Sequence, residues 1–322
     1  MLLTILIPTY NRCNDLLYNI SLLEGFILSN SLEERVDIII SSNNSEDETK
    51  QKVTSFIKNT NIKITLYNQE ANIGLEKNVI FTLSKAISEY VMFLGDDDYI
   101  DEEYLKRVIC IISSEKDVHC IIPSFIGIKL DKTVIPTIQR DINAITKKYR
   151  KGFRSCLSLS NRGHQLSGLV FKRAGLYENY MQRNVQNIYP FIFFVSISIL
   201  NGNTYHLTEY PVKVTQPGQE KKDWGYGEDG LVNEIFDNYK KIDLKILQRY
   251  LLEMNLLFTQ DSRYLMYLEK SKMDCFNAFF KIITSKNSLL LTKLSFPFLF
   301  SYKLVVKYSK SLLRPAYKKI FR

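Results

Sequence analysis

Three consecutive carboxylates, Asp96, Asp97 and Asp98, follow directly on an apolar run, Val91-Met92-Phe93-Leu94-Gly95. Adjacent anions repel one another, and a fold tolerates them readily when a hard cation sits among them. Mg2+ or Mn2+ suits such a place, since both take carboxylate oxygens and the phosphate oxygens of a substrate. The plain alternative is an acidic turn that caps the next helix. Asp101 and Glu102 already stand where that cap belongs, which leaves the three aspartates without a structural duty. Three other polar clusters have the same character: Pro8-Thr9-Tyr10-Asn11-Arg12, the stretch 41–49 containing Ser42 and Asn43, and the stretch 68–78 containing Asn72, Gly74, Lys77 and Asn78. Arg12 and Lys77 are cations that could pair with an anionic ligand, and Gly74 lets backbone approach a ligand closely. A capped turn at Asn11 and a turn or helix end at Gly74 are the structural alternatives.

The elements that must position these clusters alternate. Strand-like runs at 2–7, 36–41, 62–67, 90–94 and 118–125 are separated by helical patterns at 15–28, 46–57, 74–87 and 101–112. Such alternation predicts right-handed crossovers and an α/β, doubly wound, mostly parallel sheet. Ligands bind beyond the carboxyl ends of such strands, and each polar cluster stands at one of those ends. Residues 127–186 read as loops and short strands over that rim. The apolar run 188–200 reads as a buried helix, 204–214 as a strand, 216–230 as a flexible stretch and 231–269 as helical.

Taken in order and spacing, Ile5 to Arg12, 36–49, Asn72 to Asn78 and Phe93 to Asp98 resemble the family 2 glycosyltransferases of the GT-A fold, in the branch that builds bacterial surface polysaccharides and includes abequosyltransferase-like enzymes. The resemblance implies that Pro8, Thr9, Tyr10, Asn11 and Arg12 line a nucleotide pocket, with Ser42 and Asn43 beside the base. It implies that Asn72, Gly74, Lys77 and Asn78 border the sugar nucleotide. Asp96, Asp97 and Asp98 then form the acidic motif, with Asp96 and Asp98 as the metal pair. Two departures stand out. Ser42-Asn43 replaces the acid that usually meets the base, and a serine cannot accept from a uracil N–H as a carboxylate does. Where the family's catalytic carboxylate follows Gly168 to Arg173, this chain has Asn187-Ile188-Tyr189-Pro190. His164, Glu228 and Asp229 are the replacement candidates for the base, and the glycine-flanked stretch 224–230 suits a lid.

The formal net charge of +9 resembles a nucleic-acid signal until it is located. Residues 270–322 hold twelve Lys or Arg and one acid, Asp274, so the body is close to neutral and offers no basic groove for nucleic acid. Basic, aromatic and apolar residues interleave in 270–322 without an uninterrupted span. That pattern predicts a C-terminal helical, basic amphipathic extension lying on an anionic membrane, or a helix packed on the body with its basic face in water. Five scattered cysteines and no leader-like start predict a cytoplasmic protein, peripheral on the inner face of the membrane. The predicted organisation is 1–126 for the donor nucleotide sugar, 127–230 for a saccharide acceptor, lipid-linked, and 231–322 for the helical region. The rivals are a nucleotidyltransferase with a similar acidic site and a non-catalytic sugar-nucleotide-binding protein.

Overall fold

Every residue of the first strand, β1 (Leu3–Thr9), is buried, as expected of a strand covered on both faces of a parallel sheet. Its side chains alternate between those faces. Leu3, Ile5 and Ile7 enter a core shared with Leu16, Ile20, Tyr104 and Leu105. On the opposite face Phe93 packs against Phe191 and Phe194, with ring centroids 4.9 and 6.1 Å away. The computed structural model describes residues 1–216 and 226–320, with side chains described to Ser309.

The chain forms two compact units, Met1–Asp223 and Trp224–Arg322. In the first, β1 is followed by α1 (Cys13–Ser29), β2 (Val36–Ser42), α2 (Thr49–Asn59), β3 (Ile64–Asn68), α3 (Leu75–Lys85), β4 (Tyr90–Phe93) and α4 (Glu102–Ser114). Next come β5 (Val118–Ile128), β6 (Val134–Arg140), β7 (Lys147–Tyr149), α5 (Phe153–Leu159) and a 3-10 turn, Ser160–His164. The unit closes with β8 (Val170–Lys172), α6 (Leu176–Gln182), α7 (Pro190–Asn201) and β9 (Asn203–Thr215). The sheet order is β3-β2-β1-β4-β8-β5-β9-β7, with β6 on β5. The pairs β1–β2, β1–β4, β2–β3 and β5–β9 are parallel, whereas β8 runs antiparallel between β4 and β5.

The predicted α/β fold with a mostly parallel central sheet is therefore present, and the antiparallel β8 makes that sheet mixed. Residues 127–186 hold two helices, α5 and α6, besides the predicted short strands. The capping argument also needs correction. Asp101 occupies the N-cap position of α4 but makes no side-chain cap; its Oδ1 accepts from Lys213 Nζ at 2.5 Å. Glu102 accepts from Asn30 and Ser29 instead.

The turn into β8 depends on Gly168, whose φ is +80°. A Cβ there would lie 2.6 Å from Val212 Cγ2 and 3.0 Å from Pro123 Cγ. Gly168→Ala thus adds left-handed strain to overpacking and is expected to lower stability by about 3 kcal/mol. A denaturant midpoint unchanged from the parent would contradict this.

The second unit contains α8 (Val232–Lys240), α9 (Ile246–Thr259), α10 (Ser262–Leu265), a 3-10 turn (Met266–Glu269), α11 (Lys272–Ile283) and α12 (Leu290–Ile320). Its buried carboxylate, Glu253, accepts from Arg249 Nε, Leu289 N and Thr292 Oγ1 at 2.8, 3.0 and 2.6 Å, which joins α9 to the start of α12. Tyr264, Phe296, Phe300 and Phe279 form an aromatic cluster beneath α12. Among the described residues, no helix is long and apolar enough to cross a membrane.

Candidate functional site

The carboxyl ends of β1, β2 and β4 meet at one rim, because the parallel register sets Pro8 beside Ser41 and Thr9 beside Ser42. Past β1 the chain turns at Asn11, held in a left-handed conformation with φ 52°. Three hydrogen bonds pin this turn to the loop after β2. Asn11 N donates to Ser45 Oγ at 3.0 Å, Glu46 N to Asn11 Oδ1 at 2.8 Å, and Cys13 N to Asp47 Oδ2 at 3.0 Å. Asn11 is thus a loop fastener, and the chain next places Arg12 over the end of β4.

A second set of bonds fastens the loop before α3. Asn43 Nδ2 donates to Asn72 Oδ1 at 2.7 Å, while Ile73 N donates to Asn43 Oδ1 at 2.9 Å. Asn72 Oδ1 also accepts from Gly74 N. Asn78 is buried and exchanges two bonds with Ser41, at 2.6 and 3.0 Å. Gly74 takes φ 83° at the start of α3, and a Cβ there would meet nothing within 4 Å, so its need is for backbone conformation rather than space. Lys77 is exposed in the first turn of α3. Ser42 is buried and donates to Ser45 Oγ.

The three aspartates differ. Arg12 Nη1 lies 2.5 Å from Asp96 Oδ1 and 3.2 Å from Asp97 Oδ1, so these two carboxylates face a common point. Asp98 faces the protein. Its Oδ2 accepts from Ser167 Oγ at 2.5 Å and Gln165 Nε2 at 3.2 Å, and its Oδ1 from Thr215 N at 2.9 Å. Thr215 Oγ1 also donates to Asp97 O, and Asn19 Nδ2 donates to the carbonyls of Gly95 and Asp98 at 3.0 and 2.8 Å. Asp98 therefore does have a structural duty. Ser167, Gln165, Thr215 and Asn19 were not singled out from sequence. Asn19 carried a signal, a polar residue between Leu16 and Ile20 on the core face of a helix.

Burial, followed by attraction to Arg12 that acts against it and repulsion from Asp97, leaves the Asp96 carboxyl raised to about 6. Burial and then repulsion from Asp97 raise Asp98 to about 7. Between about pH 4 and these values the native state holds protons that the unfolded chain has released. Stability without divalent cation is therefore expected to fall as pH rises from 5 to 8. Asp98→Asn should flatten that slope in thermal unfolding with EDTA; an unchanged slope would contradict the assignment.

His164 ends the 3-10 turn one residue before Gln165. Its Nδ1 lies 2.8 Å from Asn161 O; a carbonyl only accepts, so Nδ1 carries the hydrogen and Nε2 is the basic nitrogen. His206 is buried on β9 with Nε2 3.1 Å from Asp141 Oδ2. At the position where the family pattern expects an acid, Asn187 is buried and its Oδ1 accepts from Tyr189 N, shaping the start of α7. Glu228 and Asp229 fall in the second unit. Asp229 accepts from Leu231 N and Asn233 N at the start of α8, and Glu228 is exposed and pairs with Lys281 at 3.0 Å. Trp224 and Gly225 of the predicted lid, within the stretch 217–225, lie outside the described residues.

Residues 4–172, just over half of the chain, match the family model described as glycosyl transferase family 2. The abequosyltransferase of Salmonella typhimurium is 30% identical over 122 residues, 37% of this chain and 35% of that one. The chain thus matches about a third of that relative's length. Among solved structures, Staphylococcus aureus TarS residues 1–349 in complex with UDP-GlcNAc superimposes with a TM-score of 0.65 at 16% identity, covering 88% of this chain and 81% of that one. The mannosyltransferase of Pyrobaculum calidifontis in complex with GDP-Man and Mn2+ gives 0.56 at 11% identity, covering 97% and 81%. At these identities the structural likeness concerns the fold.

Proposed function

The chain belongs to glycosyl transferase family 2, and we propose that it moves a sugar from a nucleotide diphosphate sugar to a saccharide acceptor, inverting the anomeric centre. The observation that carries this reading is the meeting of Arg12, Asp96 and Asp97 at the rim where β1, β2 and β4 end. Residues 1–126 would hold the donor and 127–230 the acceptor.

Mg2+ or Mn2+ fits the donor set. Two hard carboxylate oxygens converge within reach of one cationic nitrogen, and burial raises the Asp96 carboxyl despite its attraction to Arg12. No three ligating side chains form a metal cage among the described residues, so phosphate and water would complete the sphere. Asp96 and Asp97 would hold the ion in place of the predicted Asp96–Asp98 pair, because Asp98 is committed to Ser167, Gln165 and Thr215. When bound, the ion offsets charge on the leaving diphosphate.

The residues of the chain then divide the work. Pro8, Thr9, Tyr10 and Ser42 line the nucleotide end, with the Asn43–Asn72 bond holding its wall. Arg12 and Lys77 approach the diphosphate, and Gly74 brings backbone to it. The acceptor oxygen attacks the anomeric carbon as the bond to the diphosphate oxygen breaks, and His164 Nε2 takes the acceptor proton. The other two base candidates lie elsewhere in the chain: Asp229 accepts from Leu231 N and Asn233 N at the start of α8, and Glu228 pairs with Lys281. A saccharide on a lipid carrier is the acceptor class that gives a membrane-facing 270–322 its use, which would place the enzyme on the cytoplasmic face of the membrane.

The test is release of nucleoside diphosphate from a panel of UDP-, dTDP-, CDP- and GDP-sugars with Mn2+. Release from one nucleotide class, lost in EDTA, is expected. Release from none would overturn the reading.

A further inference from the structure

We infer that the outward sides of α11 and α12 form a built docking face for an anionic lipid bilayer, with the apolar rows themselves, rather than the lysines, entering it. This inference gives a surface to the membrane association proposed above and rests on that association, while being independent of the transfer chemistry.

The α12 helix is apolar on two opposite sides. One side is core: Thr292, Phe296 and Phe300 are buried, the last two against Tyr264 and Phe279. At 100° per residue, Leu291, Leu294, Phe298, Tyr302 and Val305 fall on a single stripe on the opposite side. Each is about half exposed or more, and Phe298 is 79% exposed. The α11 helix repeats the arrangement over a shorter length. Cys275, Ala278 and Ile282 are buried, while Met273, Phe276 and Phe280 lie at helical spacing on the other side, 47–68% exposed. A water-facing helix normally carries polar residues there, and contiguous apolar rows of this size mark an interaction surface.

Two lysines of α12, Lys303 and Lys307, behave differently from the sequence expectation. Lys303 Nζ is 3.0 Å from Asp261 Oδ2 and lies over the Phe258 ring, and Lys307 Nζ donates to Leu265 O. They fasten α12 to its own unit, and the stripe is left to make the outward contact.

Charge chooses the occupant. Residues 270–322 carry twelve Lys or Arg against one acid. A second copy docked on this face would oppose two strongly cationic segments. An anionic bilayer instead attracts the segment, and the acyl boundary accepts the Phe and Leu side chains.

The test uses the full chain and two vesicle preparations, phosphatidylcholine alone and phosphatidylcholine with about a third phosphatidylglycerol, which supplies the negative surface potential of an anionic leaflet. Cosedimentation is expected with the anionic vesicles and not with the neutral ones. Phe298→Glu and Leu294→Glu replace exposed residues and leave the core intact; each is expected to weaken vesicle binding by about tenfold or more. Binding with Mn2+ of whichever of UDP, dTDP, CDP and GDP the parent takes, measured on the same variants, should be unchanged, so a failure of the docking face is read apart from a failure of the nucleotide site. Variants that bind anionic vesicles like the parent would overturn the inference. So would equal binding to neutral vesicles, or a concentration-dependent dimer abolished by the same substitutions without vesicle binding.

Discussion

Asp97→Asn is expected to lower transfer by about a thousandfold, the scale of losing a charge aimed at the leaving group, while the fold survives. Its neighbour should behave in the opposite way. Asp98→Ala removes the acceptor of Ser167 Oγ, Gln165 Nε2 and Thr215 N, leaving buried donors unpaired at a cost of about 2–3 kcal/mol in stability. Two adjacent aspartates thus separate into one lost in the rate and one lost in the fold. Steady-state rates and denaturant midpoints on both variants make the comparison. An Asp97→Asn enzyme with parental rate, or an Asp98→Ala chain as stable as the parent, would contradict the division drawn from the geometry.

His164→Ala is expected to lower kcat by about a hundredfold, the contribution of a positioned general base, with the KM for donor little changed. The assignment follows from position and tautomer. Nδ1 is spent on Asn161 O, the next residue reaches Asp98, and Nε2 is the nitrogen able to take a proton. A loss confined to kcat, with the donor KM and the denaturant midpoint unchanged, is a readout that a merely structural histidine would not give. Glu228→Gln should leave kcat near the parental value, since that side chain is exposed and paired with Lys281. A reversed outcome, with Glu228 essential and His164 dispensable, would contradict the choice of base.

Much of this fold was legible because its strands are short apolar runs that end in polar clusters. Leu3–Thr9, Val36–Ser42 and Tyr90–Phe93 lie close to where the alternation put them. The antiparallel β8 was less accessible, since three residues carry no period and the strand is defined by its place between β4 and β5. The helices α5 and α6 are seven residues each, too short for a helical pattern to separate from loop. At the site, residue types pointed to the acidic motif and Arg12, but not to the division of labour. Asp98 owes its role to Ser167 and Thr215, which are 69 and 117 residues away along the chain, and no spacing within a motif encodes such a partner. Asp101 misled for a related reason: a residue suited to capping bonded to Lys213, which the sheet brings near it.

The central claim is that the rim formed by Arg12, Asp96 and Asp97 is a metal-assisted nucleoside diphosphate site. Calorimetric titration of UDP, dTDP, CDP and GDP into the full chain, with Mn2+ and with EDTA, tests it most directly. Binding of one nucleotide that requires Mn2+, and that is lost in Asp97→Asn while Asp98→Asn retains part of it, is the result the account predicts. Binding that is equal in EDTA and in Asp97→Asn, or absent for all four nucleotides, would contradict it.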